Sequence, residues 1–214
     1  STRPGSQPVP AEEELDRVMP VLELLLKEIP LPVSVDTYKA HTAREALALG
    51  VHIINDVGGG KKDARMAEVV AGYNAPVIIM HNQKRDSQFP YDLVADVIDD
   101  LSESVRIYEN AGVERGKMMI DPGIGFGKDA RGNLAILNHL AALETLNLPV
   151  LLGASRKSFI GAVLDTPVDD RLEGSLAAVA WGVMNGADVI RVHDVKETVR
   201  LVRMLEAIGN AGER

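Results

Sequence analysis

Apolar residues in this chain gather into short, near-continuous runs, separated by longer stretches with helical spacing. Six runs read as strands: 32–36, 53–57, 76–81, 118–121, 150–154 and 189–193. They do not alternate apolar with polar residues, which is the pattern of strands buried on both faces of a parallel sheet. Seven intervening stretches read as helices, over 12–28, 39–49, 63–73, 92–111, 130–146, 172–185 and 196–208. In the first of them Leu15, Val18, Met19, Leu22 and Leu25 recur along one face. Asp92 and Asp129 stand where helices start, and Gly50, Gly112 and Gly186 where helices stop. Strand–helix alternation of this kind means a parallel sheet with right-handed crossovers.

Two architectures satisfy that alternation, a (β/α)8 barrel and an open doubly wound sheet. Polar residues decide between them. They follow nearly every strand: Asp36-Thr37, Asn55-Asp56, His81-Asn82, Asp121-Pro122-Gly123, Ser155-Arg156-Lys157-Ser158 and His193-Asp194. An open sheet needs polar groups at one or two strand ends near its switch point. A barrel gathers all of them at one mouth. The expectation is an α/β fold, a (β/α)8 TIM barrel seen with six strands and seven helices.

Composition narrows the chemistry. The chain has 214 residues, 46% of them hydrophobic, enough for a core. Cysteine is absent, which removes disulfides, thiolate metal sites and a cysteine nucleophile. The net charge of −8 disfavours general nucleic-acid binding, although a local basic pocket can still hold an anion. No apolar run reaches the length of a membrane span. Neither an H-E-x-x-H helix nor a G-x-S-x-G elbow occurs.

The candidate chemistry lies in the strand-end motifs. A carboxylate such as Asp121 can accept two hydrogen bonds from an amidine-like edge, as in a guanine-like or pterin ring. The glycines that follow, in Gly123-Ile124-Gly125-Phe126-Gly127, let backbone approach a ligand, but lack the spacing of a dinucleotide fingerprint. The bland alternative is a capped βα turn. Arg156 and Lys157 directly follow an apolar strand, where burial without an anion would be costly; the alternative is a solvated basic loop. Arg191 and His193, two apart on one strand, are expected to share a face. Their alternative partners are Asp194 or Asp56. Asp36 and Asn55, each a turn residue on its own, become a ring of donors and acceptors with Asp121 and Lys157. Trp181 reads as core or helix-interface packing.

The sequence resembles the dihydropteroate synthases, the sulfonamide-target enzymes of folate biosynthesis. The resemblance rests on Ser1-Thr2-Arg3-Pro4-Gly5, Ser34-Val35-Asp36-Thr37, Ile54-Asn55-Asp56, Met80-His81, Asp121-Pro122-Gly123-Ile124-Gly125-Phe126, Gly153-Ala154-Ser155-Arg156-Lys157-Ser158-Phe159-Ile160-Gly161 and Arg191-Val192-His193-Asp194-Val195. It implies a barrel that joins 4-aminobenzoate to (7,8-dihydropterin-6-yl)methyl diphosphate. It further implies a pterin pocket of Asp36, Asn55, Met80, Asp121 and Lys157, with Asp36, Asp121 and Lys157 catalytic. Asn55, Arg191 and His193 would hold the diphosphate. Thr2, Arg3, Pro4, Phe126, Lys157 and Ser158 would shape the 4-aminobenzoate side. The implied cofactor is Mg2+ on the diphosphate, with an Asn ligand before Ser1. The other implied properties are a homodimer, a cytoplasmic location, and no nucleic-acid or membrane partner.

Some features depart from that pattern. His81-Asn82-Gln83-Lys84-Arg85-Asp86 is less glycine-rich, and Gly58-Gly59-Gly60 more so, than is usual after the corresponding motifs; altered loop mobility is the expectation for both. The family's first strand, its Asn-bearing loop, the first helix and the second strand have no counterpart. The expectation is a single, N-terminally incomplete barrel domain over 1–214, with Ser1 in the second βα loop of a longer chain. Two other functions compete: the pterin-binding barrel of a methyltetrahydrofolate-dependent methyltransferase, and a binding-only incomplete barrel. The methyltransferase reading has no use for the basic residues of 155–158, Arg191 and His193.

Overall fold

The structure, a computed structural model, describes residues 7, 9–83 and 93–212. The chain divides into two compact units, one of residues 1–82 and 99–120, the other of 83–98 and 121–214.

In the first unit β1 (Ser34–Thr37), β2 (Ile53–Asp56), β3 (Val77–Met80) and β4 (Met118–Asp121) form a sheet whose strand order follows the chain; Asp121 itself falls to the second unit. The β1–β2 and β2–β3 pairings are parallel. An order without reversal has no switch point, which separates it from a doubly wound sheet. Ile54, Ile79 and Ile120 are completely buried, as the unbroken apolar runs required.

Helix α1 (Ala11–Glu28) precedes β1, while α2 (Ala40–Leu49) and α3 (Met66–Gly72) carry the β1–β2 and β2–β3 crossovers. Leu22, Val35, Ala46 and Val51 form a buried cluster that Val18, Met19 and Leu26 of α1 cover, so the helical stripe read from sequence faces this core. Gly50 ends α2 in the left-handed conformation, with φ of 110°. α4 (Leu93–Asn110) ends before Gly112. Asp92, expected to start it, lies outside the described residues.

In the second unit Asp129 caps α5 (Ala130–Asn138), accepting from the Gly132 N–H at 2.7 Å. The expected helix over 130–146 is two elements, because a 3-10 helix takes over at Leu140–Leu146. β5 (Leu151–Leu152) and β6 (Val189–Ile190) pair in parallel, and both are shorter than expected. The helix count is also corrected. α6 (Ser158–Leu164), α7 (Leu172–Met184) and α8 (Val195–Gly209) bring the described α-helices to eight, not seven. The missed helix is α6, whose one apolar face buries Phe159 and Ile160.

Trp181 is at a helix interface rather than in the core. It is 49% exposed, and its indole N–H donates to the Leu137 carbonyl at 3.0 Å, joining α7 to α5.

Candidate active site

The end of β1 and the end of β2 sit side by side, with Asp36 opposite Asn55 and Thr37 opposite Asp56. Side chains alternate along a strand, so the two pairs face opposite sides. On one side, the Asn55 amide donates to Asp36 Oδ1 at 3.0 Å. Asn55 is 1% exposed, and its Oδ1 is buried without a hydrogen-bond partner. An orphaned acceptor of that kind costs stability unless a ligand donor reaches it.

On the other side, Thr37 and Asp56 are tied to the surrounding helices and loops. Thr37 donates to Glu14 of α1 at 2.6 Å and accepts the Lys39 N–H, while Lys39 and Glu14 form an ion pair. Asp56 accepts from Tyr108 of α4 at 2.7 Å, from the Gly58 N–H at 2.8 Å and from the Gly60 N–H. The glycine run is therefore a cradle of backbone N–H groups around a buried carboxylate. Burial pushes the Asp56 carboxyl above its ordinary value, and Tyr108, Gly58, Gly60 and Lys62 offset only part of that rise. Burial and the neighbouring Asp56 charge drive the Tyr108 phenol well up, so it stays a donor. Sequence reading missed this role for Asp56; an Asp with three glycines starting two residues on was the available signal. Tyr108→Phe is expected to cost about 1–3 kcal/mol, the penalty for a buried polar group that loses its partner. The cost should be largest where Asp56 is ionised and shrink as pH falls through its raised value, as urea unfolding from neutral to acidic pH will measure.

The second unit brings its own cluster. Asp121 ends β4 at 5% exposure and accepts the Gly123 N–H at 2.7 Å. Burial raises its carboxyl; Lys157, the Gly123 N–H, Lys128 and Arg191 pull it partly back. Lys157 donates to the Ile124 carbonyl, and its Nζ stands 4.8 Å from the centre of the Phe126 ring. The Lys157 stem crosses Gly125, where an added Cβ would meet Cδ at 2.8 Å. Gly125 also has φ of 83°, a backbone state that L side chains rarely adopt. Gly125→Ala is thus expected to lower stability by about 1 kcal/mol or more. It should also displace Lys157, to be checked by melting and steady-state kinetics on one preparation.

The two adjacent cations have separate work. Arg156 adopts a left-handed φ of 57°, uncommon for a residue with a Cβ. Its N–H donates to Ser175 at 2.9 Å, its carbonyl accepts from Arg171 at 3.0 Å, and its guanidinium forks onto Asp194. Such over-determination sustains the strained turn, and the turn starts Lys157 toward Gly125. Arg156 therefore binds within the protein and holds the Asp194 carboxyl below its ordinary value. Ser158, exposed, opens α6.

The strand-face argument for Arg191 and His193 is corrected. β6 ends at Ile190, so both residues lie in the loop that follows it. Pairing ends there because only Leu151–Val189 and Leu152–Ile190 are in register, with one further bond from the Arg191 N–H to Leu152 at 2.9 Å. Ser155 then holds His193: its Oγ accepts the backbone N–H at 3.2 Å and lies 3.0 Å from Nδ1. A hydroxyl both donates and accepts, so the Oγ–Nδ1 contact serves either tautomer of the ring. Gly153 lies between the two cations, as a Cβ there would meet Lys157 Nζ at 3.9 Å and the Arg191 Cβ at 4.0 Å. Of the alternative partners, Asp194 pairs with Arg156 and its carboxyl is lowered by His193 as well, while Asp56 is held by Tyr108 and the glycines.

Met80 ends β3 at 3% exposure. Thr2, Arg3 and Pro4 lie outside the described residues. Among the described residues no group of three His, Asp or Glu side chains converges to hold a metal ion. A Mg2+ ion shared between phosphate oxygens and one or two side chains needs no such group.

Each unit thus gathers polar side chains of its own, Asp36 with Asn55 in the first and Asp121 with Lys157 in the second. The model of the pterin binding enzymes matches residues 1–193. Dihydropteroate synthase of Bacillus subtilis is 48% identical over 212 residues, covering 99% of this chain and 74% of that protein. The crystal structure of dihydropteroate synthase from Clostridium difficile in the presence of pteroic acid matches with a TM-score of 0.93 at 46% identity, over 97% of this chain and 79% of that one. The Xanthomonas albilineans enzyme with 4-aminobenzoic acid gives 0.92 at 41% identity, over 98% and 76%. The chain belongs to the pterin binding enzymes and, within them, to the dihydropteroate synthases. Its fold class is the (β/α)8 barrel class of those enzymes.

Proposed function

We propose that this protein condenses (7,8-dihydropterin-6-yl)methyl diphosphate with 4-aminobenzoate to give 7,8-dihydropteroate and diphosphate. The observation that carries the reading is Lys157, a cation aimed by a strained turn onto the Ile124 carbonyl and the Phe126 ring, beside the buried Asp121.

Asp36, Asn55, Met80, Asp121 and Lys157 are assigned to the pterin, with the orphaned Asn55 Oδ1 free to accept a ring N–H. Asn55, Arg191 and His193 are assigned to the diphosphate. The His193 ring and the Arg191 guanidinium donate to its oxygens, which makes diphosphate a better leaving group. The bond between the pterin methylene carbon and the bridging oxygen breaks, and its electron pair departs with diphosphate. Asp36 and Asp121 stabilise the positive charge left on the pterin methylene. The amine lone pair of 4-aminobenzoate then forms the new C–N bond, and the amine proton passes to solvent. Phe126, Ser158, Thr2, Arg3 and Pro4 are assigned to the 4-aminobenzoate side. No covalent enzyme intermediate is required, in keeping with the absence of cysteine. Mg2+ belongs to this reading as an ion carried on the diphosphate oxygens.

The reading includes a cytoplasmic homodimer. No helix among the described residues is long and apolar enough to cross a membrane. Exposed Val163, Leu164 and Trp181 border an apolar cavity of about 630 Å3 along α5, α6 and α7, and supply a face for a second copy. Light scattering should return twice the chain mass; a monomer at working concentration would remove this part of the reading.

Mass spectrometry of a reaction with both substrates tests the function, with calorimetry of the pterin diphosphate beside it. Dihydropteroate that depends on both substrates, and competition of a sulfonamide with 4-aminobenzoate, are expected. Binding without product would instead favour the binding-only barrel.

A further inference from the structure

We propose that Asn133 is a positioning residue for Lys157, acting through the loop between β4 and α5. The inference rests on the catalytic assignment of Lys157 made above.

Asn133 lies in the first turns of α5 and is 1% exposed. An amide side chain past the N-cap of a helix has poor helix propensity and competes with the backbone for hydrogen bonds. Here that competition is put to use. Oδ1 accepts the Gly125 N–H at 2.6 Å. Nδ2 donates to the Asp129 carbonyl at 2.8 Å and to the Lys128 carbonyl at 3.2 Å. The opposite amide orientation would set a donor against the Gly125 N–H and an acceptor against two carbonyls, so the orientation is fixed by its partners.

Gly125 is the residue between Ile124 and Phe126. Ile124 supplies the carbonyl that receives Lys157, and Phe126 supplies the ring beside its Nζ. The Lys157 stem runs over Gly125 itself. One buried amide thus grips the midpoint of a three-residue seat whose two outer members hold the ammonium. Lys128 braces the same loop by donating to the Gly123 carbonyl at 3.0 Å and to the Phe126 carbonyl at 3.1 Å. Asn133 touches neither Asp121 nor Lys157 in any of these bonds. Its effect on chemistry therefore passes through the loop.

A double-mutant cycle tests this. Asn133→Ala should lower kcat/KM about tenfold in the native background, but less than about twofold in a Lys157→Ala background, because the residue it positions is gone. Asn133→Ser keeps a hydroxyl oxygen able to accept the Gly125 N–H and brings no buried charge, so it should lose less than Asn133→Ala. If Asn133→Ala fails to fold, Asn133→Ser carries the cycle with the same expectation of coupling. Beside the kinetics, the Lys157 ε-methylene resonance, assigned by its loss in Lys157→Ala, should shift in the Asn133 variant. Equal losses in both backgrounds, or an unmoved Lys157 resonance, would overturn the proposal. A native protein that made no dihydropteroate would sink the functional reading, while the resonance would still decide whether Asn133 places Lys157.

Discussion

Asp121→Asn is expected to lower kcat/KM by about 100- to 1,000-fold, the range for removing one preorganised electrostatic group from a transition state, while raising the melting temperature at neutral pH. Both effects have one origin. Asp121 is 5% exposed, and burial lifts its carboxyl above the ordinary value despite Lys157, the Gly123 N–H, Lys128 and Arg191. A carboxyl whose folded value is raised leaves stability intact below its unfolded value and erodes it as pH climbs through the folded value. An ionised Asp121 is thus a burden on the fold, and the proposed reaction would use its charge against a cationic pterin methylene. Asparagine lifts the burden and keeps an acceptor for the Gly123 N–H. Melting curves of the two proteins should converge as pH falls, and the activity loss should persist wherever the native enzyme works. A variant less stable than the native protein at neutral pH would show that the surrounding cations outweigh burial.

Lys157→Ala should lower turnover at least tenfold, from the loss of about 1.5–3 kcal/mol for a hydrogen bond to a charged group. Its stability effect should have the opposite sign to that of Asp121→Asn. Removing the ammonium strips Asp121 of its largest offsetting charge, so the carboxyl rises further and the fold weakens at neutral pH. The ammonium also leaves the Ile124 carbonyl and the Phe126 ring without their donor. Steady-state kinetics with each substrate varied in turn, together with a melt, separates the two effects. Native turnover in Lys157→Ala would remove Lys157 from the catalytic set.

The sheet was legible because strands buried on both faces must be apolar throughout, and Ile54, Ile79 and Ile120 obey that rule. The short strands were overread for the same reason: the apolar run at 150–154 continues past Leu152, where parallel pairing stops. Hydrophobicity reports burial, and pairing depends on a neighbour that the run itself does not encode. α6 was hidden because its seven residues follow directly on a motif that reads as a loop. At the site, inward-facing residues such as Asp36 and Asn55 declare themselves as polar groups at strand ends. The separation of Arg156 from Lys157 was not legible. It depends on Asp194 and Ser175, 38 and 19 residues away. Asn133 gave only a faint signal, a weak helix former kept in the first turns of α5.

The alignment of Asp36 with Asn55 and of Thr37 with Asp56 bears on how the chain reaches this state. A slip of one residue between β1 and β2 would turn Asp56 away from Tyr108, and would aim Asn55 into the helix layer. Such a pairing would cost the buried carboxylate its long-range donor and part Asn55 from Asp36, so it would be rejected energetically before it could persist. The carboxylate with no assigned part in the reaction thus acts as a proofreader of strand alignment, and a chain that has satisfied Asp56 has also, by that act, set Asn55 beside Asp36.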